Sequence, residues 1–447
     1  MLTFRGGTKT NLDLFTVFAK CRKTHRALSH KTLIFYIYGM FNAEQIRSEF
    51  PMLVAGDREE KPLAFLDSTA TTQKPACVID AMDDFYREHY SSVKRGVYRL
   101  SARTTEAFEA ARKNVAKFLN AASEDEIVFT RGTTESINLV AWSYGRKFFD
   151  KDDEILISGL EHHANIVSWQ IVAEMKGAKI KVIPVKDDGD LDLDAIPGLL
   201  TARTKMVAVT HVSNAVGTVN PIAEIIATVR ANAPQAKILI DGAQSASHIK
   251  VDVQKLDCDF FVFSGHKIYG PTGVGVLYGK YAVLDSMPPW HGGGEMIKNV
   301  TFEKTTYADV PARFEAGTPA IAEVIGLGKA IEWLNRVGLD EIRQHESKLV
   351  EYTLKRLAEI PQVKVLGNPK ERGALLSVTL DGIAVSDAAM ILDEENVAVR
   401  SGHHCAQPVM DRFGVDATLR LSFGAYTLER DIDRFVAGIR RVLRLFA

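Results

Sequence analysis

Between about residues 120 and 280 the chain repeats one pattern, a short β-branched or aromatic run followed by a stretch with helical spacing. The runs are EIVFT (126–130), EILIS (154–158), KIKVIPV (179–185), KMVAVTHV (205–212), KILID (237–241), DFFVFS (259–264) and GVGVLYG (273–279). Helical patterns at 135–148, 165–177 and 222–233 stand between several of them. Such alternation predicts an α/β fold with a mostly parallel, seven-stranded sheet between layers of helices. A sheet covered on both faces explains why the runs are almost continuously apolar.

Beyond about residue 330 the pattern changes. Two helical stretches lead into strand-like VKVLG (363–367), ALLSVTL (374–380), VAVRSG (397–402) and TLRLSFG (418–424), and LERDIDRFVAGIRRVLRLF closes the chain as an amphipathic helix. The expected division is a large domain over 56–330 and a smaller C-terminal α+β domain over 331–447. Residues 40–55 form an N-terminal segment packing with the small domain, and MFNAEQIRSEFPML reads as its amphipathic first helix.

Residues 1–39 differ in character, with Arg5, Lys9, Lys20, Arg22, Lys23, Arg26 and Lys31 against the single acid Asp13. A basic leader ending in LIFYIYG fits a transit peptide, which would place the protein in an organelle. The preferred reading is an extension without function ahead of a start at Met40, which leaves the protein cytoplasmic. The whole chain of 447 residues is 46% hydrophobic with a formal net charge of −1, so bulk charge gives no reason to expect nucleic-acid binding. No apolar run approaches the roughly 20 residues needed to span a bilayer. Cys21, Cys77, Cys258 and Cys405 form no CxxC pair, a usage that suits a reducing compartment. Cys77 and Cys258 lie in apolar stretches and read as structural.

Chemistry-bearing residues gather at strand ends. Lys267 follows a strand in FVFSGHKIYGPTG, where it could attach an aldehyde cofactor or simply be a surface lysine. Asp241 ends an apolar strand in KILIDGAQ; it could pair with a pyridinium nitrogen or cap the next helix, while Gln244 could bond a ring oxygen. Gly132, Thr133 and Thr134 lie between a strand and a helix, a setting for a phosphate or for an ordinary capping box. Ser264 and His266 would add phosphate donors, and His162 of EHHAN could stack on a ring. His403, His404 and Cys405 are consecutive and cannot easily aim three side chains at one tetrahedral ion, so no metal is expected.

Taken together, RGTTE, EHHAN, THVSN, DGAQ, FSGHKIYGPTG, GGGEMI, FEAGTP and RSGHHCA resemble the class V aminotransferase-like, fold-type I pyridoxal-phosphate enzymes, and within them the Suf-type, group II cysteine desulfurases. The resemblance runs from about Met40 to the C-terminus. It implies pyridoxal 5′-phosphate as cofactor, Lys267 as the Schiff-base lysine, Asp241 and Gln244 on the ring and His162 stacked upon it. It implies Thr133, Thr134, Ser264 and His266 at the phosphate, with Thr318 of FEAGTP reaching across from the second subunit of a homodimer. Asn214 and Arg400 would lie beside the substrate and Arg420 would receive its carboxylate.

The implied reaction converts L-cysteine to L-alanine. Cys405 attacks the substrate sulfur and keeps it as a persulfide, with substrate-thiol deprotonation through His162. A SufE- or SufU-type acceptor and Suf scaffold proteins would then use the sulfur in iron–sulfur cluster assembly. Lys94 and Tyr98 stand where relatives commonly carry histidine, which bears on the choice of acceptor. Selenocysteine lyase activity and a low-turnover persulfide carrier or scaffold are the alternatives.

Overall fold

The computed structural model describes residues 41–447. The readings on residues 1–39, Met40 and Cys21 lie outside the described residues. Seven strands build the central sheet: β1 (Ile127–Thr130), β2 (Glu154–Ser158), β3 (Lys179–Ile183), β4 (Thr204–Thr210), β5 (Lys237–Asp241), β6 (Phe260–Ser264) and β7 (Gly275–Gly279). Their order is β1-β7-β6-β5-β4-β2-β3, and only β7 runs against its neighbours. All seven expected strands are present, in one mostly parallel sheet.

Successive strand residues enter opposite layers, as the pleat requires. Leu156, Val207, Ile240 and Phe261 pack into one core cluster, whereas Ile155, Met206, Leu239 and Phe260 pack into another. Each face is closed by helices, among them Arg99–Leu119 (α1) and Ile321–Val337 (α2) on one side and Ala164–Lys176 on the other.

A second sheet is antiparallel. Strands β8 (Val363–Val365), β9 (Leu375–Leu380), β10 (Arg400–Gly402) and β11 (Thr418–Ser422) lie in the order β8-β9-β11-β10. Its apolar face is covered by the closing helix Glu429–Leu445, whose Ile432, Phe435, Val436 and Ile439 are buried against Leu376, Leu419 and Leu421.

Two local expectations are corrected. MFNAEQIRSEFPML is not one helix, because Ala43–Arg47 stops and a new helix begins at Pro51. Proline biases the residue before it away from the helical region, and Phe50 sits at φ −104°, ψ 101°. VAVRSG is not one strand either. Val397–Ala398 pairs in parallel with Ala64–Phe65, while β10 turns to pair with β11. The segment before the large sheet is tied to the C-terminal helix by buried Arg47, which donates to Asp431 at 3.2 Å, to Asp57 at 2.7 Å and to the Leu63 carbonyl at 2.9 Å.

Candidate active site

The parallel strands of the large sheet all end at one edge, where such sheets open a crevice. There a cavity of about 300 Å³ is lined by Lys267, Asp241, His162, Arg420, Cys405 and their neighbours. Thr133, Thr134, Asn214, Gln244, Ser264, His266 and Arg400 line it too. Every site residue expected within the chain therefore reaches one cavity. Thr318 does not; it is exposed on the loop after Gly317.

At one end of the cavity the turn after β1 folds over β6. The Thr133 N–H donates to Ser264 Oγ at 2.8 Å, and the two hydroxyl oxygens are also 2.8 Å apart. The fold permits this only because Gly275, facing both Thr130 and Ser264 across the ladder, has no side chain; a Cβ there would lie 2.3 Å from Gly132 Cα. Gly132 stands in the N-cap position of Thr133–Val140 and offers no capping side chain. Glu135 turns back to accept from the Arg131 N–H at 2.8 Å instead of closing a capping box. The first turn of this helix thus keeps donors for an anion.

Deeper in, Asp241 is 3% exposed and accepts from the Ala243 N–H at 2.9 Å. Burial raises its pKa, opposed by that N–H and by the Lys267 charge. Lys267 sits in the turn after β6, with its pKa lowered to about 8 by burial, partly countered by Asp241. Gly242 keeps Asp241 in place, since a Cβ would meet Phe261 Cζ at 2.0 Å. Gln244 donates to the Thr69 carbonyl at 2.8 Å. His162 Nδ1 accepts from the Ala164 N–H at 3.0 Å, and burial with the Lys267, His163 and Arg420 charges pulls its pKa down to about 4. His266 is likewise lowered to about 4 by burial and by Lys267 and Lys74.

The other wall comes from the small sheet. Arg420 on β11 is 3% exposed; Nη1 donates to the Asn214 carbonyl at 2.9 Å, Nη2 reaches Asp67 Oδ1 at only 3.3 Å, and Nε has no partner. Arg400 on β10 donates to Asp67 Oδ2 at 2.9 Å. Asp67 therefore holds both arginines. Sequence reading missed it, together with Thr69, Ala70, Thr210, Val212 and His404 at the cavity wall. The one available signal was an acid followed by small polar residues in FLDSTATTQ, directly after an apolar pair.

Cys405 is exposed at the mouth. Its loop is built of two successive left-handed residues, His404 at φ 55° and Cys405 at φ 54°. The His404 carbonyl accepts from Asn214 Nδ2 at 2.6 Å and the Cys405 carbonyl from the His163 N–H at 2.7 Å. His404 Nε2 lies 2.8 Å from Thr418 Oγ1, in the interior. His404 and Cys405 thus diverge, and among the described residues no group of three His, Cys, Asp or Glu side chains is arranged for a metal. Cys258 is buried and Cys77 half-buried, both with pKa raised by burial.

Residues 64–435 match the aminotransferase class-V family. The chain belongs to that family. A cysteine desulfurase of Dickeya dadantii is 51% identical over 403 residues, covering 90% of this chain and 97% of the relative. The crystal structure of the Escherichia coli cysteine desulfurase CsdA, in an S-sulfonic acid form, superposes with a TM-score of 0.84 at 40% identity, covering 91% of this chain and 99% of that one. A C-DES variant with glycine covalently linked to its PLP cofactor gives a TM-score of 0.75 at 25% identity, covering 88% of this chain and 98% of that one. Class V membership and a mostly parallel fold-type I architecture, with a smaller antiparallel C-terminal part, are as the sequence motifs implied. Among the described residues no helix is long and apolar enough to cross a membrane.

Proposed function

We propose that this protein is a pyridoxal-phosphate-dependent cysteine desulfurase of the group II, Suf-like kind, which converts L-cysteine to L-alanine and holds the sulfur as a persulfide on Cys405. The observation that carries the reading is the meeting, in one cavity, of a buried lysine–aspartate pair with an exposed cysteine. A lysine of lowered pKa beside a strand-end carboxylate suits an aldehyde cofactor.

The cavity's residues fit that cofactor. The Gly132–Thr134 turn, with Ser264 and His266, offers donors and a close backbone approach for its phosphate. Asp241 would pair with the ring nitrogen, Gln244 would serve the ring oxygen and Lys267 would provide the covalent attachment. Thr318 of a second copy would complete the phosphate site in a homodimer. Bound there, pyridoxal phosphate supplies an electron sink for the substrate's α-carbon.

The chain's own groups then divide the work. Lys267 Nζ, as the free amine with its pKa lowered to about 8 by burial, takes the proton from the substrate α-carbon. Arg420 Nε has no partner and Nη2 holds Asp67 only at 3.3 Å, so this edge of the guanidinium is the one that receives the substrate carboxylate. His162 Nδ1 accepts a backbone N–H and burial lowers its pKa to about 4, an arrangement in which the ring proton belongs on Nε2 and would be offered to the substrate sulfur. Cys405 Sγ, as the thiolate, attacks the substrate sulfur; the S–S bond forms as the Cβ–S bond breaks with its electron pair left on the β-carbon, which takes up a proton. With the α-proton returned by Lys267 the product leaves as alanine, so that thiol and cysteine become persulfide and alanine.

The short, hydrogen-bonded RSGHHCA loop supports the group II assignment, and the exposure of Cys405 suits delivery to a SufE- or SufU-type acceptor for iron–sulfur cluster assembly. Lys94 Nζ lies 3.6 Å from Glu315 Oε2, and the Tyr98 hydroxyl 2.9 Å from Ser91 Oγ, so both replace histidine with groups already partnered. The altered chemistry there points to acceptor choice. A persulfide chemistry of this type also suits a reducing, cytoplasmic setting.

The test supplies holoenzyme with L-cysteine and a thiol reductant and measures alanine together with the mass of the Cys405 peptide. Equal alanine and sulfide, with one added sulfur on Cys405 when reductant is withheld, is the expected result. Pyruvate in place of alanine overturns the reading. The arginine gives a second expectation. Arg420→Lys removes the planar fork while keeping the charge, and is expected to raise KM for cysteine roughly 30- to 150-fold, the scale of about 2–3 kcal/mol for charge-assisted bonds. Steady-state alanine formation reads it, and an unchanged KM would place the carboxylate elsewhere.

A further inference from the structure

His163, the second histidine of EHHAN, has no part in the chemistry above, yet it touches the Cys405 loop twice. Its backbone N–H donates to the Cys405 carbonyl at 2.7 Å, and its Nε2 accepts from the Gln407 N–H at 3.1 Å. Gln407 opens the short helix Gln407–Phe413, so its N–H has no partner within that helix. Between these contacts lies a tight turn, in which the Ala406 N–H donates to the His403 carbonyl at 2.8 Å.

The loop needs such restraint. Two successive non-glycine residues at φ 55° and 54° form an unfavoured stretch that persists only where its surroundings hold it. Asn214 holds the residue before Cys405, and His163 brackets Cys405 and the second residue after it. His163 itself stands at the N-cap of the helix that follows β2, its carbonyl accepting from the Val167 N–H at 2.8 Å.

We propose that His163 is a positioning residue for Cys405, its imidazole acting as the hydrogen-bond acceptor that fixes the nucleophile's loop from the small sheet against the cofactor-bearing edge of the large one. This rests on the desulfurase reading for its kinetic consequence, not for its structural one. The acceptor role makes a specific demand. A glutamine carries its amide oxygen about as far from the backbone as the imidazole carries Nε2, whereas alanine offers nothing.

The experiment compares wild type, His163→Ala and His163→Gln as holoenzymes. Two readouts are used, steady-state alanine formation and amide hydrogen exchange of the peptide spanning 403–407. In His163→Ala, kcat is expected to fall about tenfold with KM within about twofold, since misplacing a reacting atom costs turnover more than binding. Exchange at 403–407 should quicken, and the cofactor's absorption band should stay as in wild type. His163→Gln should restore both. Unchanged kcat and unchanged exchange in His163→Ala overturn the proposal, as do glutamine and alanine variants impaired alike, which would make the imidazole a chemical participant. Should wild type show no desulfurase turnover, quickened exchange in His163→Ala with rescue by glutamine still supports positioning, and the failure falls on the functional reading alone.

Discussion

Cys405→Ala is expected to stop sulfide release from L-cysteine, by at least about a thousandfold, the scale seen when a covalent nucleophile is removed. The cofactor's absorption band and the binding of cysteine should be unchanged. The structure separates these effects. The Cys405 side chain is exposed and its loop is held through the backbone carbonyls of His404 and Cys405 and the N–H of Gln407. Alanine meets the same left-handed backbone cost as cysteine, so the exchange removes sulfur and little else. Sulfide and alanine are measured side by side with the visible spectrum. A variant that releases as much sulfide as wild type would sink the persulfide mechanism. A lyase that frees sulfide or selenide without an enzyme persulfide would then lead.

The same loop marks where sequence reading succeeds and where it stops. Most strands of the large sheet are legible because they bury both faces, so local composition alone carries the signal, and only the edge strand β3 is largely exposed. Lys267, Asp241 and His162 are legible because they follow those strands directly. Asp67 is not. Its role exists only through Arg400 and Arg420, which lie 333 and 353 residues further along the chain. His163 is hidden for the same reason, its partner Gln407 being 244 residues away. Local pattern also misleads near Pro51, where amphipathic spacing runs straight through a residue whose ring ends the helix before it. What is lost, then, is mostly the contact between the two sheets, which forms between residues far apart in the chain. That contact is also what brings the arginine fork and the thiol to the lysine.

Lys267→Ala is the second large effect. Turnover should fall at least about a thousandfold, because one change removes both the covalent anchor and the base for the α-proton. Borohydride should no longer fix the cofactor to the chain, while the phosphate cradle of Thr133, Ser264 and His266 is left intact. With a pKa of about 8 the amine is roughly one-tenth free base at pH 7, against fewer than about one in a thousand for an ordinary lysine. Reductive methylation of Lys267 in the apoenzyme should therefore reach half its limiting rate near pH 8. Asp241→Asn should move that midpoint downward, since the carboxylate is what holds the pKa up. The same shift carries a cost in stability. The folded apoenzyme binds fewer protons than the unfolded chain between about pH 8 and the ordinary lysine value of 10.5, so this group's contribution improves as pH rises through that window. Below it the full penalty of burying a charged lysine remains. Apo Lys267→Ala is accordingly expected to melt at or above wild type at pH 7, with the gap closing above pH 10. A lower Tm at pH 7 would mean that the amine is satisfied by partners rather than held under strain for the reaction, and its lowered pKa would then need another cause.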